Sequence, residues 1–268
     1  NILAEREFPV DTIHALASGR SSGREVSFGD VDIGVENLHE FDFSGVDLVL
    51  SSVDSDTTKS FVPRATRAGA IVIDNSSAYR MDPDVPLIVP EVNGAALQDY
   101  KAKNIIANPN CSTIQMVMAL KPLRDLAAIR RVVVTSYQSV SGAGKQAMDE
   151  LFNQTRGMFM NETPKAEAVP KQIAFNVIPE IGGIMDDGMA GEEWKMVAET
   201  KKIMADSGTI KVCANCVRVP VFIGHGEMVN VEFADDQDEI SREQAAEAWR
   251  KFRGVTLVDV DTQEQEYA

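Results

Sequence analysis

A chain of 268 residues with a formal net charge of −15 is poorly suited to polyanions, because nucleic acids and anionic membranes recruit clustered Lys and Arg. Its 44% hydrophobic and 25% charged residues are those of a soluble globular protein of one large domain or two. No apolar stretch reaches the ~18 residues that span a bilayer, and nothing at the start reads as a signal peptide. Three cysteines make no disulfide framework, so a reducing, cytoplasmic setting is expected.

The chain opens inside a helical pattern. In "NILAEREFPVDTIHALASGRSSG" Ile2, Leu3 and Phe8 share a face, Pro9 stops the helix, and "TIHALAS" (12–18) reads as a strand. A helix feeding a strand usually follows another strand, so a fragment lacking at least a first strand and its loop is expected. "GRSSGREVSF" reads as a polar loop. "VDLVLSS" (46–52) is a short β-branched run, and "TKSFVPRATRAG" (58–69) a helix broken early by Pro63 and closed by Gly69. "AIVIDNSS" (70–77) and "NIIANPN" (104–110) are further buried strands. Apolar strands alternating with helices predict a parallel sheet covered on both faces, with ligands at the carboxyl ends of its strands. Those ends, "SGRSS", "SSVDSD", "DNSSAYR" and "NPNCST", are small, polar or charged, as a binding rim requires, although loops are polar in any case.

From about residue 130 the texture changes. "RRVVVTSYQSVSG" (130–142), "AFNVIPEIG", "VCANCVRVPVFIGHGEMVNVEF" and "VTLVDVD" read as strands, some alternating as in a mixed or antiparallel sheet. "AGKQAMDELFNQTRG" (143–157) and "SREQAAEAWRKFRG" (241–254) read as helices ended by Gly, the first with apolar spacing at Met148, Leu151 and Phe152.

Cys111 opens the helical stretch "CSTIQMVMALKPL". First-turn amides and the helix dipole favour a thiolate there and lower the thiol pKa, and Asn110 offers an amide beside the sulfur; a buried packing cysteine is the alternative. A thiol nucleophile needs a base. Of His14, His39 and His225, His14 reads as a core or second-layer residue and His39 as surface. His225 sits between Gly224 and Gly226 at a break between strands, where backbone can approach a ligand. Arg218, among apolar neighbours, needs an anion, either a substrate carboxylate or a structural partner. Glu192 and Lys195, at i and i+3 of a charged helix with a solvated face, either meet a zwitterion or pair with each other. Gln138 ends a strand, and Ser141-Gly142-Ala143-Gly144 leads into a helix, as an ordinary turn or as a close approach for a cofactor. Cys213 and Cys216 project to opposite faces of a strand and lack the further ligands a zinc site needs.

Together these residues resemble the aspartate-β-semialdehyde dehydrogenase family. The matching pieces are "ASGRSSG", "DNSSAYRMDPDVPLIVPEVN", "NPNCST", "YQSVSGAGKQAMDEL", "FNVIPEIG", "EEWKMVAETKKIM" and "CVRVPVFIGHGE". They occur in family order over most of the chain; singly each is weak, but the ordered set is specific. The resemblance implies an α/β fold: a Rossmann-like parallel-sheet NADP domain over 1–112, and an α+β substrate and dimerisation domain with a mixed sheet over 113–268. It makes Cys111 the nucleophile, His225 the general acid/base and Gln138 the residue that orients substrate. Arg218 would grip the substrate α-carboxylate and Glu192 its amino group, while Arg80, Asn110 and Lys195 would hold inorganic phosphate. Arg20 and Ser21 would meet the 2′-phosphate of NADP, and Ser52, Ser141 and Gly142 would line the cofactor. No metal is implied.

The implied reaction is NADPH-dependent reduction of L-aspartyl-4-phosphate to L-aspartate 4-semialdehyde through a cysteine thioester, in the biosynthesis of lysine, threonine, methionine and diaminopimelate. The implied assembly is a cytoplasmic homodimer or homotetramer without nucleic-acid or membrane partners. The family's opening strand, its G-x-T-G-x-x-G loop and its C-terminal helical segment have no counterpart in the sequence. The fragment is therefore expected to bind NADP poorly, and the activity belongs to the parent protein. The rival readings are an N-acetyl-γ-glutamyl-phosphate reductase, a cysteine hydrolase built on Cys111 and His225, and an inactive remnant.

Overall fold

The computed structural model describes residues 2–19, 23–206, 208–234 and 239–258. The short helix α1 (Ile2–Glu5) buries nothing. Strands β1 (Ala15–Ala17), β2 (Glu25–Phe28) and β3 (Val31–Asn37) form a sheet in the order β1-β3-β2, with β1 parallel and β2 antiparallel to β3. The stretch read as a polar loop thus holds a strand. Gly29, at φ 59°, takes the left-handed position of a two-residue hairpin turn between Phe28 and Val31. His14 is not a core residue: it precedes β1, lies exposed, and bonds Glu36 Oε1 at 2.9 Å.

The second sheet is all parallel, in the order β4 (Leu48–Ser51), β5 (Ile71–Asp74), β6 (Ile105–Ala107). Helix α2 (Ser55–Arg67) crosses from β4 to β5, capped by the Asp54 side chain on the amides of Asp56 and Thr57. Pro63 does not break it. An interior proline costs about 3 kcal/mol, but Pro63 faces solvent while Phe61, Val62 and Ala65 are buried on the other face. Coverage on both faces is incomplete, since Leu48 and Leu50 of β4 are 37% and 55% exposed. The helix α3 (Pro90–Asn93) and a 3₁₀ turn (94–102) lead into β6, from whose end α4 (Cys111–Arg124) departs.

The second half carries β7 (Ile129–Gln138), a 3₁₀ turn (140–143), α5 (Lys145–Phe159), α6 (Gly191–Ile203), β8 (Lys211–Arg218), β9 (Gly226–Phe233) and α7 (Arg242–Lys251). The sheet runs β8-β7-β9, with β8 parallel and β9 antiparallel to β7, so it is mixed as expected. Helix α5 continues past Gly157; its inner face is Ala147, Leu151 and Gln154, and Phe152 is exposed. "AFNVIPEIG" forms no strand, only a bridge from Ile178 to Arg218. Residues 255–258 of "VTLVDVD" are irregular, and the remainder of that stretch lies outside the described residues.

On β7 the residues Val132, Val134, Ser136 and Gln138 point inward and are buried, while Arg131 and Tyr137 point outward and are exposed. The inner face packs on α4. Met116, Val117 and Leu120 of α4 join Val72 and Ala107 of the parallel sheet to Val132 and Val134 of the mixed sheet in one core cluster. Each such buried Val, Leu or Met side chain stabilises the fold by about 1.5–3 kcal/mol. The helix that begins at Cys111 is therefore the bolt between the two sheets.

Candidate active site

The turn Asn108-Pro109-Asn110 carries the chain from β6 into α4. Asn110 caps that helix in extended backbone (φ −60°, ψ 144°), its Oδ1 accepting from the amides of Ser112 and Thr113. Its Nδ2 donates to Glu192 Oε1 at 2.7 Å, and its backbone N–H donates to Glu199 Oε2 at 2.7 Å. Both carboxylates come from α6, so one helix holds the cap of the other by side chain and main chain together.

Two of the charges on α6, a helix expected to carry most of its charge on a solvated face, are buried. Glu192 is 5% and Glu199 1% exposed, and with Met196 and Ile203 they form the buried stripe. Burial pushes the Glu192 carboxyl up, but Lys195 and the Asn110 amide outweigh it and leave the net shift downward. Lys195 Nζ stands 3.1 Å from Glu192 Oε2. For Glu199 burial wins over Arg80, and the shift is upward. Arg80 Nη1 meets Glu199 at 3.0 Å, while its Nε and Nη2 donate to the carbonyls of Asn108 and Asn75. Arg80 thus ties the rim of the parallel sheet to α6.

Antiparallel pairing brings the start of β9 to the ends of β7 and β8. Gln138 and Arg218 are register partners at those ends, and Tyr137 pairs with Gly226, next to His225. The result is a thiol–imidazole contact: Cys111 Sγ lies 3.3 Å from His225 Nε2. The far ring nitrogen, Nδ1, accepts from Ser139 N–H at 3.0 Å, and Arg218 Nη1 donates to Ser139 C=O at 2.8 Å. Gln138, 1% exposed, donates from Nε2 to Ser136 Oγ at 3.1 Å and also favours the charged form of Glu192.

The electrostatics oppose one sequence expectation. The Cys111 thiol is pushed up, first by burial and then by the Glu192 carboxylate, against the lowering effect of the Ser112 amide. The residue keeps an exposed edge, but its sulfur sits deep enough for desolvation to outweigh the helix N-terminus. His225 is pulled down by burial and by Arg218, with Glu192 and the Gly224 backbone opposing. Both shifts favour the uncharged forms, thiol for Cys111 and imidazole for His225.

Cys111, His225, Gln138, Asn110, Glu192, Lys195 and Arg218 therefore gather at one place, and Gly142 closes against them. A Cβ at Gly142 would lie 3.2 Å from Arg218 Nη1 and 3.4 Å from His225 Nε2. Ser141 Oγ is 2.9 Å from Ser139 Oγ. Ser52 is exposed at the rim of the parallel sheet, beside Ser51, whose buried Oγ has no partner among the described residues. Arg20 and Ser21 lie outside the described residues. Cys213 is exposed and Cys216 buried; the buried thiol is pushed up to about 12, chiefly by burial. Glu199 and Ser139 were missed by sequence reading. The spacing of Glu192, Met196, Glu199 and Ile203 on one helical face was a usable signal for Glu199; Ser139 had none.

Comparison with known proteins identifies the family. Residues 1–100 match the family described as semialdehyde dehydrogenase, NAD binding domain, and residues 120–267 match semialdehyde dehydrogenase, dimerisation domain. The aspartate-semialdehyde dehydrogenase of Aquifex aeolicus (strain VF5) is 50% identical over 268 residues, 99% of this chain and 77% of that protein. Aspartate semialdehyde dehydrogenase II from Vibrio cholerae, solved as a complex with ASA, superposes with a TM-score of 0.93 at 47% identity, over 96% of this chain and 75% of that one. The enzyme from Candida albicans, solved with NADP, gives 0.66 at 28% identity, over 90% and 69%. Matched in both halves and nearly end to end, this chain belongs to the aspartate-semialdehyde dehydrogenase family.

Proposed function

We propose that the site reduces L-aspartyl-4-phosphate to L-aspartate 4-semialdehyde through a Cys111 thioester, with NADPH as reductant. The observation that carries this reading is the 3.3 Å contact between Cys111 Sγ and His225 Nε2, flanked by a buried carboxylate and a buried guanidinium. Such a pairing suits a substrate with one free ammonium and one carboxylate. Glu192 takes the ammonium, which favours aspartyl over N-acetylated substrates, and Arg218 takes the α-carboxylate. Gln138, between them at the strand end, orients the chain. Arg80, Asn110 and Lys195 form the phosphate set. Lys195 leads it, because its side chain keeps 30% exposure, whereas Asn110 is spent on capping and Arg80 holds Glu199.

The acyl carbonyl is attacked by the Cys111 sulfur, and phosphate leaves toward Lys195. The Cys111 amide, which the Asn110 cap does not engage, is proposed to receive the oxyanion. When bound, a nicotinamide cofactor would supply the hydride needed to bring the acyl group to the aldehyde level. The residues present fit such a cofactor: Gly142 leaves room that a Cβ would fill, Ser51 offers an unpartnered hydroxyl, and Ser52 and Ser141 are assigned to the cofactor with them. Arg20 and Ser21 are proposed for the 2′-phosphate, in line with the Candida albicans relative solved with NADP. As the sulfur is expelled it leaves as thiolate, and His225 Nε2 donates a hydrogen bond to it.

The chain divides into a cofactor domain over 1–112 and a catalytic and dimerisation domain over 113–268. A second copy of the chain is proposed to cover the outer face of the mixed sheet, where Tyr137 and Met228 are 43% and 69% exposed. The setting is cytoplasmic; among the described residues no helix is long and apolar enough to cross a membrane. The products feed the biosynthesis of lysine, threonine and methionine. Cys111→Ala in the active enzyme is expected to lower kcat by at least about a thousandfold. Substantial turnover in that variant, measured by nicotinamide absorbance, would refute the thioester route.

A further inference from the structure

We infer that the main chain of Ser139 holds His225 in the Nε2–H tautomer, so that in the free enzyme the imidazole is a hydrogen-bond donor to the Cys111 sulfur and not the base that deprotonates it. Its catalytic meaning rests on the reading proposed above, but the tautomer stands or falls on its own.

A ring nitrogen that accepts a hydrogen bond carries no proton. Ser139 N–H donates to His225 Nδ1 at 3.0 Å. A backbone amide cannot reverse its role as a hydroxyl can, so a proton on Nδ1 would face the amide proton head on. The neutral ring then carries its proton on Nε2, the nitrogen 3.3 Å from Cys111 Sγ. Ser139 Oγ also stands 3.2 Å from Nδ1 and within 2.9 Å of Ser141 Oγ, an arrangement in which it too can donate to the ring. The doubly protonated ring is disfavoured by the same amide, by burial and by the nearby Arg218 guanidinium, against weaker help from Glu192 and the Gly224 backbone. One residue therefore does two positioning jobs. Its N–H orients the imidazole, and its C=O receives Arg218 Nη1 at 2.8 Å.

With Nε2 already protonated, the thiol proton of Cys111 passes to solvent water at the exposed edge of that residue rather than to the ring. The donor on Nε2 stabilises the thiolate once formed, and again when the sulfur is expelled from the tetrahedral adduct. His225 is a hydrogen-bond donor from the outset, and Ser139 is the positioning residue that makes it so.

The test is ¹⁵N-histidine NMR on this chain without substrate. Only three histidines are present, and His225→Asn identifies the signal by deletion. The expected spectrum shows His225 with a bare Nδ1 and a protonated Nε2; a protonated Nδ1 with a bare Nε2 overturns the inference. Two variants separate amide from hydroxyl. Ser139→Ala keeps the N–H and is expected to retain the tautomer; its release there would assign the control to the hydroxyl and overturn the role of the main chain. Ser139 has φ −67° and ψ 157°, dihedrals a proline ring adopts, so Ser139→Pro deletes the N–H together with the hydroxyl, and its difference from Ser139→Ala isolates the N–H. That variant is expected to populate both tautomers and to raise the alkylation rate of Cys111 by roughly 3- to 10-fold, because a bare Nε2 can then take the thiol proton. An unchanged tautomer in folded Ser139→Pro overturns the proposal, and if that variant does not fold, the unmodified chain and Ser139→Ala still decide it. None of these readings needs turnover, so a failed dehydrogenase assay and a failed tautomer assignment remain distinct results.

Discussion

The parallel sheet and the mixed sheet deliver their functional groups in different ways. In the parallel sheet the group follows the strand: β6 ends, Asn110 turns the chain, and Cys111 opens the next helix. In the mixed sheet the groups are part of the strands. Gln138 and Arg218 are inner-face residues brought side by side by register, and His225 stands at the head of a strand that runs the other way. Parallel strands share their carboxyl ends, so loops supply the chemistry there. An antiparallel neighbour instead sets the start of one strand beside the end of another, and that reversal lets β9 present an imidazole to a sulfur from the first half. The two faces of the mixed sheet differ as well: the inner face is packed on α4 and α6, and the outer face is open.

Three substitutions probe that contrast. The largest effect is expected from Arg218→Leu on the inner face. Loss of a buried, forked partner for a carboxylate should raise KM for the semialdehyde about a hundredfold, ~2–3 kcal/mol, with a smaller change in kcat. Steady-state kinetics check this, and an unchanged KM would remove Arg218 from the substrate site.

Glu227, two residues beyond His225, tests the inner face for stability. Its Oε1 is buried without a partner among the described residues, and burial raises its carboxyl from 4.5 to about 7, against Gln115. The folded chain therefore holds this proton where the unfolded chain releases it. Both states are protonated below the unfolded value; stability falls as pH rises from there through about 7 and stays lower above it. Glu227→Gln should remove the loss and gain on the order of 2 kcal/mol at about pH 8 relative to about pH 5. Thermal unfolding at the two pH values measures it, and parallel curves for the two proteins would contradict the account.

The smallest effect belongs to the next residue, Met228, which points out of the same strand. Met228→Arg should weaken self-association by about tenfold, ~1.4 kcal/mol, while leaving the monomer's thermal stability near that of the parent. Sedimentation at several concentrations separates the two, and an unaltered association constant would move the interface elsewhere.

Much of this molecule is legible along the chain. Cys111 after Asn108-Pro109-Asn110, His225 between two glycines, and the Glu192–Lys195 pair all rest on local spacing, and the structure brings them together. Local cues also misled. Pro63 read as a helix breaker because its cost is local, whereas Phe61, Val62 and Ala65 bury enough apolar surface to hold α2 together. "GRSSGREVSF" read as a loop because its residues are polar, and they are polar because β2 is a mostly exposed strand.

What the sequence determined by itself was periodic or positional: alternating strands, helix starts, and the order of motifs that marks the family. Only the tertiary structure decided the charges. Glu192 and Glu199 look like surface carboxylates on α6 until α4 covers them, and Cys111 looks activated by its helix until burial and Glu192 reverse the sign. Desolvation and Coulomb interactions depend on neighbours distant in the chain, such as Asn110 for Glu192 and Ser139 for His225, and no spacing rule records which of them will meet.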